Sequence, residues 1–360
     1  MTSMNIFEKI KNDAKKNIDT VISSENWHSL SGKFVNEVET KFNQIFKAKT
    51  LTINSGTSAL EIALKSLGIK KGDEVIIPNF TFVATAQAVM SVGATPIICE
   101  INLETFNIST NNLQKYINSN TKAIIFVHLF GNPSGIDKVK EFCKQNSLYL
   151  IEDCAQAFGA ENNNKLAGSF GDFGILSFNS TKNLTSGDGG LLIINNDNFY
   201  DKAKAIRFAG YIKRGDKYIS EEIGGKNLMT EFQAAILKPQ LEVWQKLRDI
   251  RINFANDIIK KIKPLNLNPQ KLNKNVVSSY QRIVFTANSK KDSYKIILKH
   301  GDIINKIYDR PLVDEPIIQK YSKISKDAIK NANEFWDLHL GLTLHPLIDY
   351  TKYIKNLNFR

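Results

Sequence analysis

Residues 49–82 read KTLTINSGTSALEIALKSLGIKKGDEVIIPNFTF, and this stretch decides the fold class. It predicts a short strand, a Ser-Gly-Thr-Ser turn, a helix over 59–67, a Gly-Asp turn and a buried strand over 74–77 that ends at Pro78. Strand, turn, helix and strand in this order are typical of a parallel α/β sheet. The same alternation continues downstream: helices 85–92, 110–117 and 136–145, and strands 95–99, 123–128, 148–152 and 174–178.

Two further features extend this pattern to a whole fold. The strand AIIFVH at 123–128 is apolar on both faces, as expected when helices cover both sides of a sheet. We therefore predict an α/β protein whose large domain has a mostly parallel, seven-stranded-type sheet with helices on both faces. A long helical pattern begins near residue 230, with Pro239 as an expected kink, and the composition changes after it. We place the large domain at 1–245 and a smaller C-terminal α/β domain at 246–360.

The charge of the chain is unevenly distributed. The formal net charge of the 360 residues is +12, which at first suggests a nucleic-acid-binding protein. Residues 1–240 nevertheless carry 26 basic and 24 acidic side chains, whereas the last 120 residues carry 22 and 12. The excess indicates either a lysine-rich solvated surface or an anion-attracting face on the C-terminal part. A basic nucleic-acid-binding regulator stays an alternative, although no base-reading motif accompanies the charge.

The cysteines and the hydropathy pattern bear on the compartment. The three cysteines, Cys99, Cys143 and Cys154, lack metal-ligand spacing and suit reduced cytosolic thiols, so no metal site is predicted. The N-terminal segment has no apolar core of the kind found in signal peptides, and no run of about 18 apolar residues occurs. We therefore expect a cytoplasmic protein without a membrane partner.

Three sequence features could carry chemistry. Lys182 follows the strand-like FGILSFNST and precedes a Gly-rich turn, and such a semi-buried lysine is unusual unless its amine is used. Asp153 follows the apolar strand YLIE, where the carboxyl ends of parallel strands gather ligand groups, although it could simply cap the next helix. The turn at 55–58 opens a helix and is either an anion site or an ordinary N-cap. Together the three match the needs of pyridoxal phosphate: an amine, an acid for the pyridinium nitrogen and phosphate donors.

No other sequence motif supports a different function. The chain lacks the G-x-x-x-x-G-K-[ST] of P-loops and a G-x-G-x-x-G after the first strand. The histidines show no metal spacing, and His128, at the end of a strand, is interpreted as a structural residue. The chemistry therefore centres on Lys182 and Asp153.

Seven segments in one order resemble the DegT/DnrJ/StrS-type sugar aminotransferases, which have the aspartate aminotransferase fold (fold type I). The segments are NSGTSALEIAL, GDEVIIPNFTFVATAQAV, GATPIICEINLETFNI, VHLFGNPSGID, IEDCAQAFGA, GSFGDFGILSFNSTKNLTSGDGGLL and MTEFQAAILKPQLE. They extend from about residue 30 to 245, so the resemblance makes the large domain the one that binds pyridoxal phosphate.

The resemblance implies roles for individual side chains around the cofactor ring. Lys182 would form the covalent link with pyridoxal phosphate and later move the proton. Asp153 would keep the pyridinium nitrogen protonated. Gln156 would lie near the ring's 3-oxygen, and Phe82 would stack on the cofactor face.

The resemblance also implies a phosphate site that two subunits share. The phosphate ligands within one chain would be Gly56, Thr57, Ser58 and Ser177. The family usually supplies an asparagine from the partner subunit in a G-x-N-x-[RK]-M segment. Residues 224–229 here read GGKNLM, so Lys226 occupies the asparagine position and Asn227 follows it. Either could reach the phosphate, and we choose Asn227. A homodimer with shared active sites follows.

The implied reaction is a transamination from L-glutamate to a nucleotide-linked keto-sugar, with the ketone at C3 or C4, in amino-sugar and surface-polysaccharide biosynthesis. An alternative within the same fold is a pyridoxal-phosphate-dependent sugar dehydratase. In those relatives a histidine takes the lysine position, so Lys182 argues against it. Asp188 replaces the usual glutamate of a Gly-Glu-Gly-Gly stretch, and the His-Tyr pattern of the substrate loop is missing, although residues 307–311 could correspond to it.

Overall fold

The computed structural model describes residues 3–25, 27, 30, 32–301 and 303–343. Its helices are α1 (Ser3–Ser24), α2 (Lys33–Phe46), α3 (Gly56–Ser66), α4 (Ala84–Ser91), α5 (Ile136–Gln145), α6 (Tyr200–Arg207), α7 (Glu231–Glu242), α8 (Trp244–Lys261), α9 (Lys290–His300), α10 (Pro316–Tyr321) and α11 (Lys326–Leu338). Its strands are β1 (Lys49–Ile53), β2 (Glu74–Pro78), β3 (Thr95–Cys99), β4 (Thr121–Val127), β5 (Tyr149–Asp153), β6 (Glu161–Asn162), β7 (Lys165–Leu166), β8 (Phe173–Ser177), β9 (Gly190–Ile194), β10 (Tyr211–Arg214), β11 (Lys217–Ser220), β12 (Asn268–Pro269), β13 (Val276–Val277), β14 (Arg282–Thr286), β15 (Lys323–Ile324) and β16 (His339–Thr343). The C-terminal end of the predicted small domain, 344–360, lies outside the described residues.

The main sheet has the strand order β1-β9-β8-β5-β4-β2-β3-β15. All of its strands point the same way except β9, which is antiparallel to both β1 and β8. Seven strands come from the first 194 residues, and the two-residue β15 adds an eighth from the C-terminal part. The predicted α/β class with a mostly parallel sheet is confirmed.

Both faces of the sheet are buried, which explains why its strands are apolar throughout. In β4, Ile125 and Val127 join one hydrophobic cluster with α3 and α4, whereas Ile124 and Phe126 join another with α5. The far side of β8 and β9 packs on α1, α2 and α7 in a third cluster. Helices on both faces leave the two ends of the strands as the places where a ligand can bind.

Three segments that the sequence analysis interpreted differ from the prediction. Strand β9 was not predicted, because its first residue, Gly190, was taken as part of the preceding Gly-rich turn. Residues Thr110–Tyr116 form a 3-10 helix instead of an α-helix. The long helical pattern breaks at Val243, between α7 and α8, and not at Pro239, which lies inside α7.

Helix α7 accommodates Pro239 through a contact with α1. A proline has no N–H to bond the carbonyl four residues earlier, which here belongs to Ala235. That carbonyl accepts a hydrogen bond of 3.1 Å from Nδ2 of Asn17 instead. The N-terminal helix, which the sequence analysis did not predict, therefore completes the hydrogen bonding of α7.

A smaller core lies in the C-terminal part. The antiparallel sheet β12-β14-β16 packs with α9 and the second half of α8 around residues such as Phe254, Ile258 and Phe285. The first half of α8 contributes Trp244 and Leu247 to a cluster of the large part. The division at 245 falls at the start of this continuous helix and stays a prediction. Within the described ranges, none of the helices combines the length and apolarity needed to cross a bilayer.

Candidate active site

A cavity of about 490 Å³ opens at the carboxyl ends of the central strands. Its walls are the ends of β4, β5 and β8, the start of α3, the segment before α4, and β14 with residues 307 and 308 from the C-terminal part. Seven residues predicted from the sequence line it: Gly56, Thr57, Phe82, Asp153, Gln156, Ser177 and Lys182. Ser58 and Asn227 are not part of this lining.

Asp153 is the last residue of β5 and is buried. Its Oδ2 accepts a hydrogen bond of 3.0 Å from the hydroxyl of Thr85, and its Oδ1 accepts one of 3.1 Å from the N–H of Ala155. The Thr85 hydroxyl lies 3.1 Å from that of Thr81. These contacts fix the orientation of the carboxylate, and the sequence analysis did not identify Thr85.

Lys182 lies in the turn after β8, where its backbone N–H bonds the carbonyl of Asn179 at 2.9 Å. Burial lowers the pKa of its amine below the usual value; the charge of Asp153 opposes this shift, and that of Arg282 adds to it. A lowered pKa increases the fraction of neutral amine, the form that attacks a carbonyl.

The start of α3 offers an anion site. Ser55 is the N-cap, and its Oγ accepts a hydrogen bond of 3.1 Å from the N–H of Ser58 and contacts the Ser58 hydroxyl at 3.0 Å. The side chain of Ser58 therefore faces the cap. The N–H groups of Gly56 and Thr57 have no intrahelical acceptors, and both residues line the cavity. A Cβ at residue 56 would lie 3.0 Å from Cβ of Ser177, so glycine brings the helix close to that serine.

Gln156 connects the site to the C-terminal part. Its Oε1 accepts a hydrogen bond of 2.9 Å from the N–H of Phe130, and its Nε2 donates to the hydroxyl of Tyr308 at 3.3 Å. Burial raises the pKa of Tyr308, which favours its neutral phenol. Phe82, by contrast, is 55% exposed at the cavity.

Arg282 is a cavity residue that the sequence analysis did not identify as part of the site. It opens β14, and burial lowers the pKa of its guanidinium. Its Nε is buried without a hydrogen-bond partner, and its guanidinium carbon lies 5.9 Å from the ring centre of Tyr308. The only available signal was a charged residue at the start of an apolar strand.

The segment with Lys226 and Asn227 runs beside the end of β1. The backbone of Asn227 donates to the carbonyl of Arg207 and accepts from the N–H of Asn54, both at 3.0 Å. Lys226 is exposed and Asn227 is partly exposed. Neither side chain lines the cavity of its own chain. Asp188, at the position where the family usually has glutamate, is exposed at the cavity.

His128 forms a buried contact with Glu152, the residue that precedes Asp153 in β5. Its Nε2 is 2.8 Å from Oε2 of Glu152, and both side chains are fully buried. Glu152 also accepts the N–H groups of Gly168 at 2.9 Å and Gly171 at 2.8 Å. Cys154 lies nearby, so the three side chains bring metal-type ligand atoms within 4.8 Å of one another. The carboxylate oxygens are already used by these protein donors, which favours a structural role.

Comparison with known proteins identifies the family. A profile of the DegT/DnrJ/EryC1/StrS aminotransferase family matches residues 8–354. The GDP-perosamine synthase of Vibrio cholerae is 32% identical over 323 residues, which cover 88% of this chain and 87% of the relative. The UDP-N-acetyl-3-dehydro-alpha-D-glucosamine 3-aminotransferase of Acidithiobacillus ferrooxidans is 40% identical over 187 residues, which cover 52% of this chain and 50% of the relative.

A solved structure supports the same assignment. The DegT DnrJ EryC1 StrS aminotransferase from Brucella abortus has a TM-score of 0.87 to this chain at 25% identity, and the match covers 97% of this chain and 95% of that one. The fold and the site therefore define an aminotransferase that depends on pyridoxal phosphate. The chain belongs to the DegT/DnrJ/EryC1/StrS aminotransferase family, which confirms the resemblance stated from the sequence.

Proposed function

We propose that this enzyme transfers the amino group of L-glutamate to a nucleotide-linked keto-sugar, with the ketone at C3 or C4, in amino-sugar and surface-polysaccharide biosynthesis. The proposal rests on one observation: Lys182 and Asp153 line a single cavity together with the start of α3. The names of the two relatives, a GDP-perosamine synthase and a 3-aminotransferase of a UDP-linked sugar, support the acceptor class.

The residues of the cavity suit pyridoxal phosphate. The free N–H groups of Gly56 and Thr57, with the hydroxyl of Ser177, would hold the phosphate. We retain Ser58 as a phosphate ligand in the proposal, although its hydroxyl contacts Ser55 and would have to turn. Phe82 would cover one face of the ring, and its exposed side chain is available for that contact.

The remaining side chains would transfer protons or hydrogen-bond the cofactor ring. When bound, the cofactor supplies an electron sink for the negative charge that develops at the reacting carbon. Lys182 would take the proton from the α-carbon of the amino donor, and in the second half-reaction it would return a proton to the sugar carbon that receives the amine. Asp153 would keep the pyridine nitrogen protonated, and Gln156 would donate toward the 3-oxygen.

We further propose a homodimer with shared active sites. The hairpin β10–β11 and the residues after it expose large apolar side chains: Tyr211, Tyr218, Ile219 and Ile223, the last at 87%. This surface adjoins the segment of Lys226 and Asn227, which does not serve its own cavity. A second copy that covers the hairpin would bring Asn227 to the partner's cofactor phosphate.

We also propose a cytoplasmic location and a role for the positive charge of the C-terminal part. The three cysteines are free and buried, which suits a cytoplasmic enzyme. The excess of positive charge in the last 120 residues would attract the anionic sugar nucleotide and glutamate. This attraction predicts a KM for the sugar nucleotide that rises with salt.

The test is an incubation of the purified enzyme with pyridoxal phosphate, L-glutamate and a panel of GDP- and UDP-linked keto-sugars, with the product read by mass. We expect replacement of the ketone oxygen by an amine. Lys182→Ala should give no product while remaining folded, and the exposed Lys165→Ala should act as wild type. A product that has lost a hydroxyl would favour the dehydratase, and turnover by Lys182→Ala would overturn the assignment of the lysine.

A further inference from the structure

We propose that Arg282 binds the α-carboxylate of the amino-acid donor. The inference rests on the proposed aminotransferase function and assigns its donor subsite. It starts from an uncompensated charge, because Arg282 forms no ion pair within the described part of the chain and its buried Nε has no hydrogen-bond partner there. A half-buried guanidinium with a buried Nε is costly unless an anion compensates it.

The fold places this cation beside Lys182. Nε2 of Gln281 donates a hydrogen bond of 2.7 Å to the carbonyl of Thr181, which joins the residue before Arg282 to the residue before Lys182. Both cations line the same cavity. The positive charge of Arg282 also lowers the pKa of the Lys182 amine.

The protein offers the guanidinium little anionic compensation. Asp153 faces the same cavity, but its oxygens already accept hydrogen bonds from Thr85 and Ala155. Asp188 also lines the cavity, yet it is exposed and forms no ion pair with Arg282. The ring of Tyr308 packs against the guanidinium without neutralising it. The compensating charge is therefore expected from a substrate.

Distance along the substrate selects the donor carboxylate. The α-carbon of the donor must come within reach of Lys182, and its carboxylate is one bond away from that carbon. The diphosphate of a sugar nucleotide is several bonds away from C3 or C4 of the sugar. The cofactor phosphate is expected at the start of α3. The planar fork of arginine also matches two carboxylate oxygens.

The experiment compares Arg282→Gln and Arg282→Lys with wild type, all loaded with pyridoxal phosphate. Glutarate serves as an unreactive carboxylate probe, and its binding is followed by calorimetry and by the visible absorbance of the cofactor. Single-turnover reactions with L-glutamate give the apparent Kd of the donor. Thermal unfolding checks that the variants are folded.

We expect Arg282→Gln to weaken glutarate and glutamate binding by roughly 10- to 100-fold, since a hydrogen-bonded charge pair is lost. Arg282→Lys should recover part of the loss, and the KM of the keto-sugar should change by less than about twofold. Unchanged glutamate and glutarate binding in a folded Arg282→Gln would overturn the inference, as would weakening confined to the keto-sugar. Failure of the wild type to accept an amino group from any amino acid would instead overturn the proposed function.

Discussion

The hydroxyl of Thr85, on the second residue of α4, donates a hydrogen bond of 3.0 Å to Oδ2 of Asp153 at the end of β5. The two residues are 68 positions apart, so the contact exists only after the sheet has formed. It holds the carboxylate that the proposed mechanism needs in one orientation.

Thr85→Val removes this donor while keeping the shape of the side chain. We expect kcat to fall by about tenfold or more, and the free energy of unfolding to fall by about 1–3 kcal/mol, because a buried carboxylate oxygen loses its partner. Steady-state kinetics and urea unfolding measure the two effects. Thr85→Ser keeps the hydroxyl and is the control. Equal kcat in the valine and serine variants would contradict the assigned role.

The amine of Lys182 should react with a small aldehyde at lower pH than an ordinary lysine, because burial lowers its pKa. The apoenzyme rate should rise with pH and reach half its maximum below 10.5, the ordinary value. Arg282→Gln should move this midpoint up, since it removes a neighbouring cation, and Asp153→Asn should move it down. The two variants thus shift in opposite directions, and a shift of both in one direction would contradict the arrangement of charges.

Gly56→Ala should weaken cofactor binding. Its Cβ would come within 3.0 Å of Cβ of Ser177, a contact that pushes the start of α3 away from the serine. We expect the Kd of pyridoxal phosphate to rise by about tenfold with the lost phosphate contacts. Titration of the apoenzyme measures it. Gly68→Ala, where a Cβ meets nothing within 4 Å, reports the cost of a positive φ of 78° and serves as a control without a cavity contact.

Shared active sites predict complementation between two inactive variants. Lys182→Ala lacks the amine of its own cavity, and Asn227→Ala lacks the group proposed to reach the partner. A mixed dimer has one site with both defects and one site with neither. If subunit exchange is random and the Asn227→Ala homodimer is inactive, mixing the two variants should therefore restore about a quarter of wild-type activity. Lys226→Ala in place of Asn227→Ala tests the neighbouring side chain. Absence of recovery in mass-verified mixed dimers would contradict sharing.

His339 should make the fold sensitive to acid. Burial lowers its pKa to about 3, and the nearby Lys306 adds to the shift. The neutral ring is needed because Nε2 accepts the N–H of Ile307 at 3.2 Å. Because the unfolded chain binds the proton more readily, stability is full above about pH 6.5 and declines from there toward pH 3, by up to about 1.4 kcal/mol per pH unit. Urea unfolding across this range should show a smaller slope for His339→Gln.

Three parts of the site could be predicted from local sequence patterns, because each lies at the end of an apolar strand or a few residues after it. Asp153 and Lys182 end runs whose burial pattern is visible locally, and the helix start at Gly56 follows β1 directly. Thr85 and Arg282 carry no such signal. They reach the cavity through packing between segments that are far apart in the chain, which no local periodicity records.

The errors in the fold have similar physical origins. Gly190 ends a flexible turn and begins β9 at once, so turn chemistry concealed a buried strand. Pro239 was expected to kink its helix, but a side chain from α1 replaces the lost hydrogen bond. Local rules identified these residues as unusual and could not identify their partners.

Helix α8 contributes side chains to two cores with one uninterrupted backbone. Trp244 packs in one core and Ile258 in the other. Unfolding of either core would therefore remove part of the packing that stabilises α8. The two parts are therefore coupled in unfolding, and the smaller one is not expected to behave as an autonomous folding unit. Arg282 lies in the smaller part and Lys182 in the larger one, so the cavity that both residues line depends on this coupling.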